Sequence, residues 1–376
     1  MILLIVMLLG LGFLIALPAT WIVLRLSLRA GAFDSAPIEG QVKAAHRRIP
    51  NTGGIAIAIG MLLPMIVAAI GFSLLDPGSL PGVLEPMGEH LPGLRSMLPL
   101  GWTLIGCVLG LHVLGLIDDR RPMGPWLKLV IMLVPGLVFA VFFDTRLMTL
   151  LDGYVGGTWL SVIVTVLWFT AIINAMNFID NMDGLSGGIA TIAASMLLIA
   201  TLLNGQWFVA AICALLSGSL IGFLVFNFPP AKIFMGDGGS LIIGLLLAFL
   251  TVRTTYTPLD DSTGGWYAVL MPVVILAVPL YDFVSVTLIR LYQGKSPFVG
   301  DMQHFSHRMR DRGLGARSTI LVIYALTLAT GISGLLMTRA LPWQAVVLGV
   351  QVLALIGAIA LFEYRSPIKR PEPSDG

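Results

Sequence analysis

Eleven long, almost uninterrupted apolar stretches run through this chain, at roughly 2–24, 53–73, 99–117, 125–143, 157–174, 185–203, 207–228, 239–254, 266–289, 317–337 and 342–362. The hydrocarbon core of a bilayer is about 30 Å thick, and a helix needs about 20 apolar residues to cross it. Stretches of that length leave one economical outcome, an all-α polytopic integral membrane protein of about eleven spans. A transmembrane barrel would instead show alternating segments of about ten residues. The first stretch is not read as a cleavable leader, because it lacks a basic flank and further spans follow it. Charged residues make up 11% of the chain, against about 25% in soluble domains. That shortage extends from end to end and excludes a soluble enzyme on a single anchor.

Between the spans no loop is long enough to fold alone, so residues 1–376 read as a single transmembrane domain. The segment 363–376 is expected to be a disordered tail. Cys107 and Cys213 lie inside apolar stretches and read as buried thiols. Eleven spans place 25–52, 118–124, 175–184, 229–238, 290–316 and the tail on one side. That side holds 18 of the 22 Lys and Arg residues, counting those at span ends such as Lys128; only Arg95, Arg146, Arg253 and Arg339 fall opposite. Basic loops stay in the cytoplasm, so the N-terminus is expected outside and the basic loops inside.

The same side gathers Asp118, Asp119, Asn174, Asn177, Asp180, Asp183, Asn227, Asp237, Asp282, His304 and His307. Carboxylates at the mouth of a membrane bundle are costly and mark function by default. In Asn174-Ala-Met-Asn-Phe-Ile-Asp-Asn-Met-Asp-Gly184, four polar residues recur every third position. On one continuing helix they would share a face, a lining suited to a divalent cation, a diphosphate or a sugar. The adjacent acids Asp118 and Asp119 either hold a cation or are neutralised by Arg120 and Arg121. Asp237 sits among glycines in Phe234-Met-Gly-Asp-Gly-Gly-Ser240, which reads as a hard-cation ligand in a phosphate-binding turn or as ordinary turn chemistry. His304, His307 and Arg308 offer donors for phosphate, whereas His112 reads as a satisfied interior residue. The acids fall at span ends rather than at mid-bilayer, which places a transporter of a phosphorylated solute second. A phosphotransferase acting on CDP-linked alcohols would need Ala-Arg after Asp183-Gly184, where this chain has Leu185-Ser186.

Together these segments resemble the polyprenyl-phosphate N-acetylhexosamine-1-phosphate transferases. So does His46-Arg-Arg-Ile-Pro-Asn-Thr-Gly-Gly54, similar to the family's first cytoplasmic loop. The resemblance covers about residues 40–310. It implies transfer of a sugar-1-phosphate, GlcNAc-1-phosphate by expectation, from a UDP-N-acetylhexosamine to undecaprenyl phosphate with release of UMP. It implies Mg²⁺ (or Mn²⁺) as cofactor, the bilayer as milieu, no nucleic-acid partner, and a cell-membrane location in envelope glycan synthesis; homodimerisation is left open. By the same resemblance Asp237 and Asp119 hold the metal, and Asp118, Asp119, Asp180 and Asp183 form the catalytic set. Lys43, His46, Asn174, Asn177, Asn227, His304, His307 and Arg308 would meet substrate. The muramoyl-pentapeptide branch, the alternative within the family, typically has ten spans and adjacent histidines; here Ser306 separates His304 from His307.

Overall fold

The computed structural model describes residues 1–33, 49–74, 88, 90–254, 266–296 and 303–365, and Lys43, His46 and Asp301 lie outside them. The helices in chain order are α1 (Ile2–Ala30), α2 (Gly54–Leu74), the short α3 (Leu91–Ser96), α4 (Leu98–Arg120), α5 (Pro125–Phe142) and the single turn α6 (Asp152–Val155). They continue with α7 (Trp159–Phe178), α8 (Leu185–Leu203), α9 (Trp207–Asn227), α10 (Asp237–Arg253), α11 (Met271–Ile275), α12 (Ala277–Tyr292), α13 (Phe305–Asp311), α14 (Ala316–Met337) and α15 (Pro342–Arg365).

Among the described residues, nine helices are long and apolar enough to cross a bilayer. The expected spans at 239–254 and 266–289 are not among these nine, and a bent helix pair counted as one span would make ten. The first is α10, whose 17 residues are short for a lipid-facing span. It is instead buried within the protein along almost its whole length, Gly238 to Thr251 without a break. The second is broken rather than continuous. Residues 267–275 and α12 meet at 72°, because Pro279 lacks the N–H that would bond to Ile275 and its ring crowds that carbonyl.

Around α10 the bundle is layered. Helices α8 and α9 are each 72% buried over their membrane-crossing length, while α1 (22%) and α15 (11%) present most of their surface outward. Lipid tails are as apolar as leucine, so helices in a bilayer associate through close packing and polar contacts. Gly12 and Gly222 supply the first at the seam of α1 with α9: a Cβ on Gly12 would lie 2.6 Å from the Leu215 carbonyl oxygen, and one on Gly222 would lie 2.9 Å from the Leu17 nitrogen. Gly115 does the same where α4 crosses the start of α10, with the backbone of Asp237 and Gly238 directly against it.

Of the expected tail 363–376, residues 366–376 lie outside the described residues. Residues 363–365 continue α15, and Glu363 is buried. Gly115→Val would push α4 off α10 at about 1–3 kcal/mol and is expected to lower the thermal midpoint in detergent. Gly110→Val, one and a half turns earlier and facing open space, should leave it unchanged.

Candidate active site

The loop before α10 turns sharply at Gly236, whose φ of 70° suits glycine. The helix that follows opens with unpaired backbone N–H groups, and burial makes such groups expensive. Asp119, at the end of α4, satisfies two of them: its Oδ1 accepts from Asp237 N at 3.1 Å and its Oδ2 from Gly238 N at 3.4 Å. A carboxylate there also meets the positive end of the helix dipole. From the other side, the His112 ring nitrogen Nδ1 lies 2.7 Å from the Gly238 carbonyl oxygen. The interior reading of His112 holds, with the addition that it braces this same turn. Residues 50–54 run alongside the loop: Phe234 N donates to Pro50 O at 2.7 Å, and Gly53 N and Gly54 N donate to Phe234 O and Met235 O at 2.9 and 2.8 Å. The Gly-Gly of the first-loop motif therefore supports the Asp237 turn.

The side chain of Asp237 is held between two further helices. Asn177, in the last turn of α7, donates to Asp237 Oδ1 at 2.8 Å and to Ser240 Oγ at 2.9 Å. Lys128, in the first turn of α5, is in close contact with Asp237 Oδ2 and also pairs with Asp118 Oδ2 at 2.9 Å. Asp118 Oδ1 accepts from Met123 N at 2.7 Å, which shapes the α4–α5 turn. Arg120 and Arg121 are exposed, and among the described residues the cation that pairs with Asp118 is Lys128. In sequence Lys128 is a span-end charge; the signal for its role is a lysine within the first turn of an otherwise apolar span.

Asp180 follows the end of α7. Among the described residues no donor reaches its carboxylate. Burial, then the charges of Asp237 and Asp119, push its protonation well above the ordinary carboxylate range. Among the described residues, Lys128 is the lysine that pairs with these acids, and they outnumber it. No three His, Cys, Asp or Glu side chains among the described residues are gathered as a ready-made metal cage. That donor set fits Mg²⁺, which takes one or two carboxylates and completes its sphere with water and substrate phosphates.

The four-residue stripe divides, because α7 ends at Phe178 and the helical face ends with it. Only Asn177 and Asp180 turn toward Asp237. Asn174 donates to Thr170 O at 2.8 Å and faces Met132 of α5. Asp183 turns away and accepts from Ala231 N at 3.0 Å. Asn227, expected at substrate, is a buried strut, accepting from Gly184 N at 3.0 Å and donating to Ile233 O at 2.8 Å. Ser240 lies within the first turn of α10.

The histidine segment forms α13 and its cap. Asp282, fully buried in α12, accepts from Phe305 N at 2.6 Å and lies 2.9 Å from His304 Nδ1. This fixes the imidazole edge-on to Phe178 at 5.7 Å between ring centres. Ser306 donates to Asn181 of the α7–α8 turn. His307 is buried, and its protonation is pushed below the ordinary histidine range by burial, then by His304 and Arg310. Arg308 points elsewhere, to Glu363. The ends of α4 and α7, the starts of α2, α5 and α10, and α13 thus converge at one end of the bundle.

Fold and site define a polytopic membrane enzyme built for phosphate chemistry, and comparison with known proteins agrees. The profile of glycosyl transferase family 4 matches residues 101–255. The decaprenyl-phosphate N-acetylglucosaminephosphotransferase of Mycobacterium tuberculosis is 30% identical over 338 residues, 82% of this chain and 78% of that protein. A probable undecaprenyl-phosphate N-acetylglucosaminyl 1-phosphate transferase of Bacillus subtilis is 28% identical over 331 residues, 86% of this chain and 82% of that protein. The undecaprenyl-phosphate α-N-acetylglucosaminyl 1-phosphate transferase of Escherichia coli is 29% identical over 239 residues, 60% of this chain and 62% of that protein. The chain belongs to glycosyl transferase family 4, the polyprenyl-phosphate N-acetylhexosamine-1-phosphate transferases.

Removing the Lys128 ammonium leaves Asp118 and Asp237 facing each other uncompensated. Lys128→Met is expected to cost about 3 kcal/mol, and Lys128→Met with Asp118→Asn should recover most of it. Urea unfolding in mixed micelles measures both.

Proposed function

We propose that this protein transfers GlcNAc-1-phosphate from UDP-GlcNAc to a polyprenyl phosphate, releasing UMP at the cytoplasmic face with Mg²⁺. The observation that carries the proposal is the pairing of Asp118 and Asp237 with Lys128, with Asp119 on the backbone of Asp237 and Asp180 beside Asp237 and Asp119, on the same bundle end as His304 and His307. Family membership supports the phosphotransfer, and the names of the relatives support GlcNAc and the polyprenyl acceptor. The side on which 18 of 22 basic residues fall supports the orientation.

One substrate is confined to the lipid and the other to water, so their phosphates can meet only at the interface, where these helix ends stand. Asp237 and Asp180 would hold the ion, which would neutralise diphosphate charge and ease departure of UMP. Asp119 has both oxygens on the α10 backbone; its part is to fix Asp237 rather than to bind the ion alone. Lys128 balances Asp118 and Asp237 and brings positive charge to the place where anionic phosphates gather. A phosphate monoester with a second pKa of about 6 is already mostly dianionic at pH 7. Holding it in line therefore contributes more than removing its proton.

A second reading, the muramoyl-pentapeptide branch, is disfavoured by Ser306, which bonds Asn181 at a position where adjacent histidines would stand. A transporter predicts acids near mid-bilayer, and these lie at helix ends.

Purified protein given undecaprenyl phosphate, Mg²⁺ and a panel of UDP-sugars should release UMP only with both lipid and UDP-GlcNAc. Release with UDP-muramoyl-pentapeptide alone, or no release from folded protein, would refute the reading. Asp237→Asn should reduce turnover at least about a hundredfold at saturating Mg²⁺ while leaving insertion unchanged.

A further inference from the structure

On sequence Arg308 reads as a phosphate contact, but its guanidinium is taken up by protein. Its Nε donates to Glu363 Oε2 at 2.8 Å, its Nη2 to Ser285 Oγ at 2.9 Å, and its Nη1 to the Gln303 carbonyl. Arg312 in turn donates to the Arg308 carbonyl at 2.8 Å. Glu363 also accepts from Tyr281 Oη at 3.2 Å. The charged side chains of Arg308 and Glu363 are 13% and 9% exposed.

The setting is what makes this pair informative. Helix α15 is the most outward-facing span, touching the bundle through a narrow line that includes Ala345, Val352 and Glu363. Two of these residues are apolar, and packing alone would be served by a third. A buried carboxylate at that place costs desolvation that apolar packing would avoid, and a buried ion pair adds directional specificity more readily than net stability. Its partner is on α13, the seven-residue helix that carries Ser306 and His307 and is capped at His304. So short a helix cannot hold itself in place.

We propose that Glu363 is a positioning residue for the transfer reaction. Acting through Arg308, it clasps α13 between α12 and α15 and so sets His304 and His307 relative to the α7–α8 turn. The last span thereby serves the site as well as the bilayer. The proposal rests on the transferase reading above.

The test uses the full-length protein with Glu363→Ala, Glu363→Gln and the charge exchange Arg308→Glu with Glu363→Arg. Two readouts are taken, amide hydrogen exchange across 305–311 and steady-state kinetics for each substrate. Glu363→Ala should speed exchange in α13 at least about tenfold and raise the KM for UDP-GlcNAc by a similar factor, with the lipid KM within about twofold. Glu363→Gln preserves shape and guards against a folding failure; it should move both readouts in the same direction. The exchanged pair should recover part of both losses relative to Glu363→Ala, and not all, because a glutamate at 308 cannot donate to the Gln303 carbonyl.

Unchanged α13 exchange in both single variants would overturn the clasp. So would an exchanged pair that recovers protection but stays inactive, because that pattern belongs to an Arg308 that touches phosphate itself. If the parent protein transfers nothing, the transferase reading and the positioning role built on it both fall. Exchange would then report only whether the Arg308–Glu363 contact is present.

Discussion

The first turn of α10 is the point on which the rest of this end of the molecule depends. A helix that starts inside a membrane bundle must find partners for its leading N–H groups without water. Asp119 accepts from two of them. Gly115 and Gly54 let neighbouring backbones come close enough to complete the enclosure, and His112 and the 50–54 segment brace it from behind. The contacts that make the buried helix tolerable are the same ones that aim Asp237 out of its N-terminus. Stability and chemistry are therefore hard to separate here.

Charge sets the second constraint. Lys128 spans Asp118 and Asp237, while Asp180 stands beside them with no protein donor among the described residues. In a low-dielectric setting such an imbalance is costly unless a cation and anionic substrates share the site. On the proposed function, this is where a metal and a diphosphate would bind together.

Much of this architecture was legible in the sequence, because the bilayer imposes a length rule on every span and a charge rule on every loop. Even α10 was found, since its apolar run is continuous despite its 17 residues. The break ahead of α12 was not, although Pro279 is the residue that enforces it. The site was legible as a set of residue types gathered on one side, and Asp237, Asp119, Asp118, Asn177 and Asp180 do come together. What failed was the assumption that regular spacing means a shared face. The helix stops at Phe178, and Asp183 then points to Ala231 instead. Pairings across long stretches of chain, Lys128 with Asp237 or Arg308 with Glu363, leave no local signal. A buried amide such as Asn227 looks the same in sequence whether it binds substrate or two backbones. Lys43 and His46 fall outside the described residues.

The central claim is that Asp119 and Asn177 act as one unit to fix Asp237, and a double-mutant cycle addresses it directly. Turnover of sugar-phosphate transfer is measured for Asp119→Asn, for Asn177→Ala and for the two combined. If the account is right, each single change costs turnover heavily and the double variant is little worse than the poorer single one, because residues acting as a unit are not additive. Losses that simply multiply would mean that the two residues work independently, and the shared support of Asp237 would have to be abandoned.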